Sequence, residues 1–504
     1  MTDDHDDDIA ELASVTHGAL VGFSGIALRR VLVFALNFAL ATGLSVGLYG
    51  VYAFGYRVVG LLTRITQLGA NNTVVRFVPK HDGDRPRQNR TMGLAYTTVL
   101  AASLVAGAAL FAAAPLLGRV AVDHPLVTEV VRLFAFLLPF NVLVRVAANQ
   151  FRSLEMVEYQ TAIVQVAEPA ARLLGVVVAL ALGFSVVGVV VAVVCTVATL
   201  FVASLALSYR ETEIRPAFGW SWEEAREFYG YSLPIAAAAL GAVLRGRIDV
   251  VLIGALVSAS AAGVYNVALL LTAFITFPLG AVNQLFPPVA SRLYSEGRTD
   301  DLRSVYATIA RWIFTGSVAI TAVELVYGRQ LLSLFGAAYT DGTAVLALFA
   351  VAHLVASMVG STGWLLMMTD NQRVEAVNSW ALGVLNVGLS YYFVLEYGVV
   401  GAALGTGASL AFINLLRVGE LYYLEGLMPF TRKFGKPAAA AVAMTATMYA
   451  LRFALDGRTL LVVGVALGAV VYAGTLSLLG FEERDRELVG ALAARYRGEA
   501  AGAR

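Results

Sequence analysis

Residues 45–68 read SVGLYGVYAFGYRVVGLLTRITQL, and residues 263–283 read GVYNVALLLTAFITFPLGAVN. The first stretch is longer than the roughly 20 helical residues needed to cross a bilayer core about 30 Å thick. Its only charges are Arg57 and Arg64. Both stretches carry Gly-Val-Tyr (Gly50-Val51-Tyr52 and Gly263-Val264-Tyr265). Leu-Gly-Ala follows 18 and 16 residues later (Leu68-Gly69-Ala70 and Leu279-Gly280-Ala281), and asparagine comes soon after. A membrane span that recurs with its exit motif reads as an internal repeat.

The rest of the chain agrees with the membrane reading. Of 504 residues, 59% are hydrophobic and 14% charged, with a mean hydropathy of +0.74. A soluble chain carries about a quarter charged residues, so there is too little polar material to coat two or three soluble domains. The single Cys195 excludes an internal disulfide and a structural zinc site. The five histidines are scattered, and no phosphate-binding loop, dinucleotide fingerprint or nucleophile elbow is present. No cofactor is expected, and a net charge of +1 gives nucleic acid nothing to bind.

Apolar runs between turn and charge breaks give fourteen spans, at about 19–43, 45–68, 91–115, 128–150, 158–181, 184–208, 229–256, 260–285, 304–327, 343–366, 372–396, 398–422, 436–455 and 459–481. With the N-terminus inside, the inner loops and tail hold 21 Lys and Arg and the outer loops 3, in strict alternation. Cations favour the cytoplasmic side, so both termini are expected there. The repeated spans are the second and eighth, six apart, and therefore run the same way through the membrane. The expected fold is an all-α polytopic membrane protein with two parallel six-helix lobes around a central cavity. Residues 1–15 form an acidic cytoplasmic tail, 16–208 the first lobe, 209–228 a cytoplasmic linker and 229–425 the second lobe. Two extra helices occupy 436–481, and a cytoplasmic tail follows at 482–504.

Twelve arginines fall inside spans. An arginine at mid-bilayer costs about 2.5–3.5 kcal/mol on insertion scales. Arg64, Arg132, Arg145, Arg311, Arg417 and Arg452 lie near span ends, where long side chains reach the interface. Arg172 follows Glu168 by four residues, a self-neutralising helical spacing. Arg245, Arg247 and Asp249 share the seventh span, where the carboxylate balances one cation. Arg29, Arg30 and Arg57 lie deep, with no acid in their own spans. Their planar forks suit a phosphate group, so the expectation is a cationic cavity that receives an anion. Asp249 is a candidate coupling-ion site. Asn37 and Asn141 read as interhelical glue, and Pro139, Pro169, Pro234 and Pro278 as kinks.

LGANNTVVRFVP at 68–79 resembles the end of the second span in polysaccharide export proteins. So do Tyr231-Ser232-Leu233-Pro234, Arg247-Ile248-Asp249 and the stretch from Asn283 to Tyr294 around Phe286-Pro287-Pro288. The chain thus resembles the Wzx-type lipid-linked oligosaccharide flippases of the MOP superfamily, relatives of the lipid II flippases and MATE exporters. The resemblance implies a non-enzymatic flippase that moves a polyprenyl- or dolichol-phosphate-linked oligosaccharide from the cytoplasmic to the outer leaflet by alternating access. It implies phosphate contacts at Arg29 or Arg30, at Arg57 and at Arg245 or Arg247. Arg64 also matches a second-span arginine of the lipid II flippases. The implied partners are the lipid-linked glycan, the surrounding membrane lipids and glycosyltransferases of the same pathway, with the chain a monomer in the plasma membrane. A MATE-like cation-coupled exporter is the rival reading. It calls for acids in the cavity, whereas the surplus charge here is positive.

Overall fold

The computed structural model describes residues 24–120, 124–244 and 248–480, without the side chains at 120, 238–248 and 284–285. The expected tails, and Arg245 and Arg247, lie outside the described residues. Every regular element among the described residues is helical.

The described chain opens with α1 (Ser24–Gly43). Then come α2 (Val46–Thr66), α3 (Ala70–Lys80), α4 (Arg85–Val120) and α5 (Val127–Ser153). A short α6 (Val157–Thr161) widens into a π turn at Ala162–Ala167 before α7 (Glu168–Ala181) and α8 (Val186–Glu211). Pro169 lies in the first turn of α7, and a proline supplies no N–H to continue the ladder. The expected kink is therefore a π turn immediately upstream.

The second half begins with α9 (Trp222–Leu244) and α10 (Ile248–Leu256), followed by α11 (Ala259–Thr272) and α12 (Phe277–Ser295). The break before Pro278 bends α11 from the start of α12 by 57°. Next come α13 (Thr299–Ser333), α14 (Thr343–Met358), α15 (Thr362–Met368) and the 54-residue α16 (Gln372–Glu425). α17 (Gly435–Leu451) and α18 (Gly457–Leu478) close the described chain. They pack on α13, where the Tyr327 hydroxyl donates to the Met448 carbonyl at 2.8 Å.

Ten helices among the described residues are long and apolar enough to cross a membrane, or eleven if α11 and the start of α12 form one span. The sequence reading counts fourteen, and the difference has identifiable sources. α16 holds two of the expected spans. Its backbone leaves helical geometry at Gly398 (φ 56°) and folds back, so that Cβ atoms at Gly401 and Gly405 would strike the backbone of Phe393 and Ser390. α17 is 17 residues long, and the expected seventh span includes residues 245–247, which lie outside the described ones.

The repeated stretches meet at their glycines. A Cβ on Gly50 would lie 1.7 Å from the Ala259 carbonyl oxygen, and one on Gly263 would lie 2.7 Å from that of Val46. Each glycine thus meets the carbonyl four residues before the other, a reciprocal contact between equivalent positions. Both copies also begin alike. Ser45 caps α2 and Ser258 caps α11, each five residues before its glycine and each accepting from the backbone N–H three residues on. Beyond α2 the chain turns through left-handed Leu68 and Gly69 (φ 44° and 73°). Gly69 presses on the Ser232 carbonyl so closely that a side chain would not fit.

Of the arginines placed near span ends, two lie beside acids and a third is buried. Arg417 makes a two-point pair with Glu375, Nε to Oε2 at 2.8 Å and Nη2 to Oε1 at 2.5 Å. Arg145 approaches Glu168 at 3.8 Å, and Arg311 is 8% exposed. Desolvating an arginine without an acceptor is costly, and for the first two an acid on another helix or another limb of a hairpin is within reach.

Candidate functional site

Four elements line one cavity of about 200 Å³, and three of them bring charge to it. α1 supplies Arg29 and Asn37, α2 supplies Tyr56 and Arg57, α7 supplies Glu168 and Arg172, and α11 supplies Asn266. α2 presents Tyr49, Tyr52, Tyr56 and Arg57 at spacings of three, four and one, so its polar atoms fall along one side of the helix. Arg57 is half-buried and donates from Nη2 to Asn266 Oδ1 at 3.0 Å. The Asn266 amide donates to the Tyr49 hydroxyl at 2.6 Å, and that hydroxyl donates to Asn37 Oδ1 at 2.9 Å. The chain Arg57–Asn266–Tyr49–Asn37 ties α1, α2 and α11 together, as expected for Asn37.

The expected Glu168–Arg172 pair forms at 2.5 Å and is buried. Arg172 also donates to Asn141 Oδ1 at 3.3 Å and to the Tyr56 hydroxyl, and lies over the Tyr56 ring. Glu168 thus serves Arg172 and, more distantly, Arg145. Arg29, Arg57 and Arg172 thus line the cavity with one carboxylate, Glu168, among its described lining residues. The walls are tyrosine and asparagine, with no second acid in the lining.

The structure separates the adjacent Arg29 and Arg30. Arg29 lines this cavity and also a neighbouring one of about 450 Å³. Arg30 lines only the neighbour of these two. It lies over the Phe277 ring at 5.1 Å, and its guanidinium packs where a Cβ of Gly280 would stand. Arg64 is exposed in the last turn of α2 and lines neither cavity.

Asp249 sits elsewhere. It is 2% exposed and accepts from the Tyr265 hydroxyl at 2.7 Å and from Thr406 at 3.3 Å. With Asn386 and His353 it lines a cavity of about 140 Å³. His353 is hydrogen-bonded to the Phe349 carbonyl oxygen at 2.9 Å. A larger cavity of about 690 Å³ adjoins it, lined by Asn283, Trp364, Glu375, Trp380, Asn414 and Arg417 among others. The sequence reading missed this wall, because tryptophans in apolar helices look like membrane-facing residues.

Residues 39–344 match the model of a family described as polysaccharide biosynthesis protein. The chain is 24% identical over 263 residues to the probable low-salt glycan biosynthesis flippase Agl15 of Haloferax volcanii, an alignment covering 51% of this chain and 55% of that protein. The chain spans about half the length of the curated relatives it matches. Among solved structures it resembles the lipid II flippase MurJ in an inward closed conformation. The TM-score there is 0.68 at 14% identity, covering 95% of this chain and all of that one. An inward-facing MATE multidrug transporter of the MOP superfamily gives 0.63 at 18% identity, covering 79% and 96%. The shared fold is that of a lipid II flippase and of a MATE multidrug transporter.

Proposed function

Because the chain belongs to the polysaccharide biosynthesis protein family, we propose that it flips a polyprenyl- or dolichol-phosphate-linked oligosaccharide from the cytoplasmic to the outer leaflet, for surface polysaccharide or glycoprotein assembly. The observation that carries this reading is the cavity where Arg29 and Arg57 stand in excess of acid. A guanidinium keeps its charge and offers two parallel donors, which match phosphate oxygens. On this reading Arg57 contacts the lipid phosphate, Arg29 joins it, and Arg30 buttresses α12. Arg64, Arg245 and Arg247 complete the path. Tyrosine and asparagine side chains beside the arginines complete the phosphate cavity, while the lipid tail stays in the bilayer.

The architecture proposed with this function has fourteen crossings, two parallel six-helix lobes, two added helices at the C-terminal end and both termini in the cytoplasm of a plasma-membrane protein. The reciprocal Gly50–Gly263 contact supports the repeat. Asp249, with Thr406 and Asn386 beside it, is proposed as the coupling-ion site. Glycosyltransferases of the pathway would deliver the substrate to a monomeric carrier. A MATE-like exporter of cations fits less well, since it calls for acids where this cavity holds arginines.

The test is translocation of a fluorescent prenyl-phosphate oligosaccharide in proteoliposomes. Arg57→Ala is expected to lower flipping at least tenfold with folding intact, because a charge-assisted contact contributes about 1.5–3 kcal/mol. Arg57→Lys should recover part of the rate, keeping charge without the fork. If Arg57→Ala protein folds and flips at the parental rate, the phosphate role is wrong.

A further inference from the structure

The 690 Å³ cavity falls within the usual range for ligand pockets, about 300–1,000 Å³. Its chemistry differs from that of the arginine cavity. Glu375 and Arg417 neutralise one another in a two-point pair with side chains 12% exposed each. The remaining polar lining is uncharged: Asn283, Ser361, Gln372, Ser379 and Asn414, with His353 at one edge. Several of these groups have hydrogen-bonding capacity left over. Asn283 accepts from Ser361 at 2.5 Å through Oδ1, which leaves its amide N–H groups available. Asn414 donates to the Leu410 carbonyl, which leaves its Oδ1 as an acceptor. The pair with Glu375 uses Nε and Nη2 of Arg417, leaving Nη1 as a donor.

Two tryptophans complete the lining. Trp364 is 42% and Trp380 44% exposed, and both border the cavity. An indole face is large, flat and apolar. The combination of flat apolar faces, unused neutral donors and acceptors, and no net charge matches a pyranose ring. Such a ring has an apolar C–H face and a rim of hydroxyls. It does not match a phosphate, which needs uncompensated cation.

We propose that this cavity is a carbohydrate subsite in which Trp364 and Trp380 stack on uncharged sugar rings and Asn283, Asn414 and Arg417 bond their hydroxyls. The inference rests on the flippase reading and divides the substrate between two places. The phosphate goes to the arginine cavity and the sugars to the tryptophan cavity. Gly363 serves the second place. A Cβ there would stand 3.4 Å from the Glu375 carboxyl group, so a larger residue would crowd the Glu375–Arg417 pair.

The experiment uses the full-length chain in nanodiscs and two probes, farnesyl phosphate and farnesyl phosphate bearing a glucose disaccharide, with affinities read by microscale thermophoresis. The parent protein should bind the glycosylated probe at least about tenfold more tightly. A Trp364→Ala, Trp380→Ala double variant should erase that preference while leaving farnesyl phosphate affinity unchanged. The corresponding Phe variants, which keep aromatic faces, should restore much of it. Arg57→Ala should weaken both probes alike. The subsite is overturned if the parent shows no preference for the glycosylated probe, or if the double Ala variant retains it. Failure of Arg57→Ala to weaken either probe would instead overturn the phosphate reading, so the two failures are distinguishable.

Discussion

The contact between the two halves of the chain is made of different material at its two ends. At the start of α2, Gly50 and Gly263 bring two backbones together with no side chain between them. Beyond the far end of α2, α3 and α4 meet α9 through ions as well as through the close Gly69–Ser232 backbone approach. Lys80 Nζ lies 2.6 Å and Arg87 Nη2 2.9 Å from the two oxygens of Glu227, and Arg90 Nε donates to Glu224 at 2.9 Å. Close backbone approach through small residues relies on packing and is indifferent to salt. Exposed ion pairs contribute little each and are screened. One end therefore relies on packing alone, and the other adds contacts that salt and acid can weaken.

The largest effect should come from filling the glycine end. Gly50→Leu must displace the Ala259 carbonyl, and overpacking of this kind costs about 1–3 kcal/mol or more. We expect a marked loss of folded yield and melting temperature in detergent. Gly60 lies ten residues along α2 with nothing within 4 Å of an added Cβ. Gly60→Ala should therefore raise stability slightly, since glycine inside a helix is disfavoured by about 0.8–1.0 kcal/mol. Equal losses from the two substitutions would erase the contrast.

A smaller effect is expected from Glu227→Gln, which removes both of its pairs. Its cost to the melting transition should be under about 2 kcal/mol. Access of a maleimide reagent to a cysteine introduced nearby, in a Cys195→Ser background, should nevertheless increase. A stability loss as large as that of Gly50→Leu would show that the ionic end holds the fold together, not merely a gate.

Acidification should act on the ionic end alone. The Lys80 ammonium beside Glu227 and the Arg90 guanidinium beside Glu224 hold these carboxyls below their ordinary value. Their contribution is complete above the unfolded value near 4.3 and is lost as pH falls through the lower native values. Melting curves should thus show a drop below about pH 4.3 that is smaller in Glu227→Gln.

Smallest of all should be the response to salt. Raising ionic strength from 0.15 to 1 M shortens the screening length from about 8 to 3 Å. Maleimide access at the ionic end should rise, and the Gly50 end should show no change.

What the sequence revealed followed from local spacing. Glu168 and Arg172, four apart on one helix, were legible as a pair. Gly50 and Gly263 were legible as equivalents because their motifs repeat. What it hid depends on helices meeting in space. Arg417 finds Glu375 42 residues away because α16 folds back at Gly398. Arg57 finds Asn266 209 residues away only once α2 and α11 cross. Trp364 and Trp380 sit among apolar neighbours, and nothing in their spacing separates a cavity wall from a lipid-facing surface. The choice between Arg29 and Arg30 needed the rotation of α1, which a one-residue difference in sequence cannot set.

The glycine crossing has a mechanical consequence. On the proposed flippase reading, the Gly50–Gly263 crossing, where the backbones meet with no side chain between them, would serve as a fulcrum and the rest of α2 as a lever. From Gly50 to Thr66 the arm is about 24 Å at roughly 1.5 Å per residue. A tilt of roughly 10° then moves the far end by about 4 Å, more than the whole 2.6 Å separation of Lys80 and Glu227. Arg57 rides on the same arm, closer to the pivot, and moves through less than half that arc.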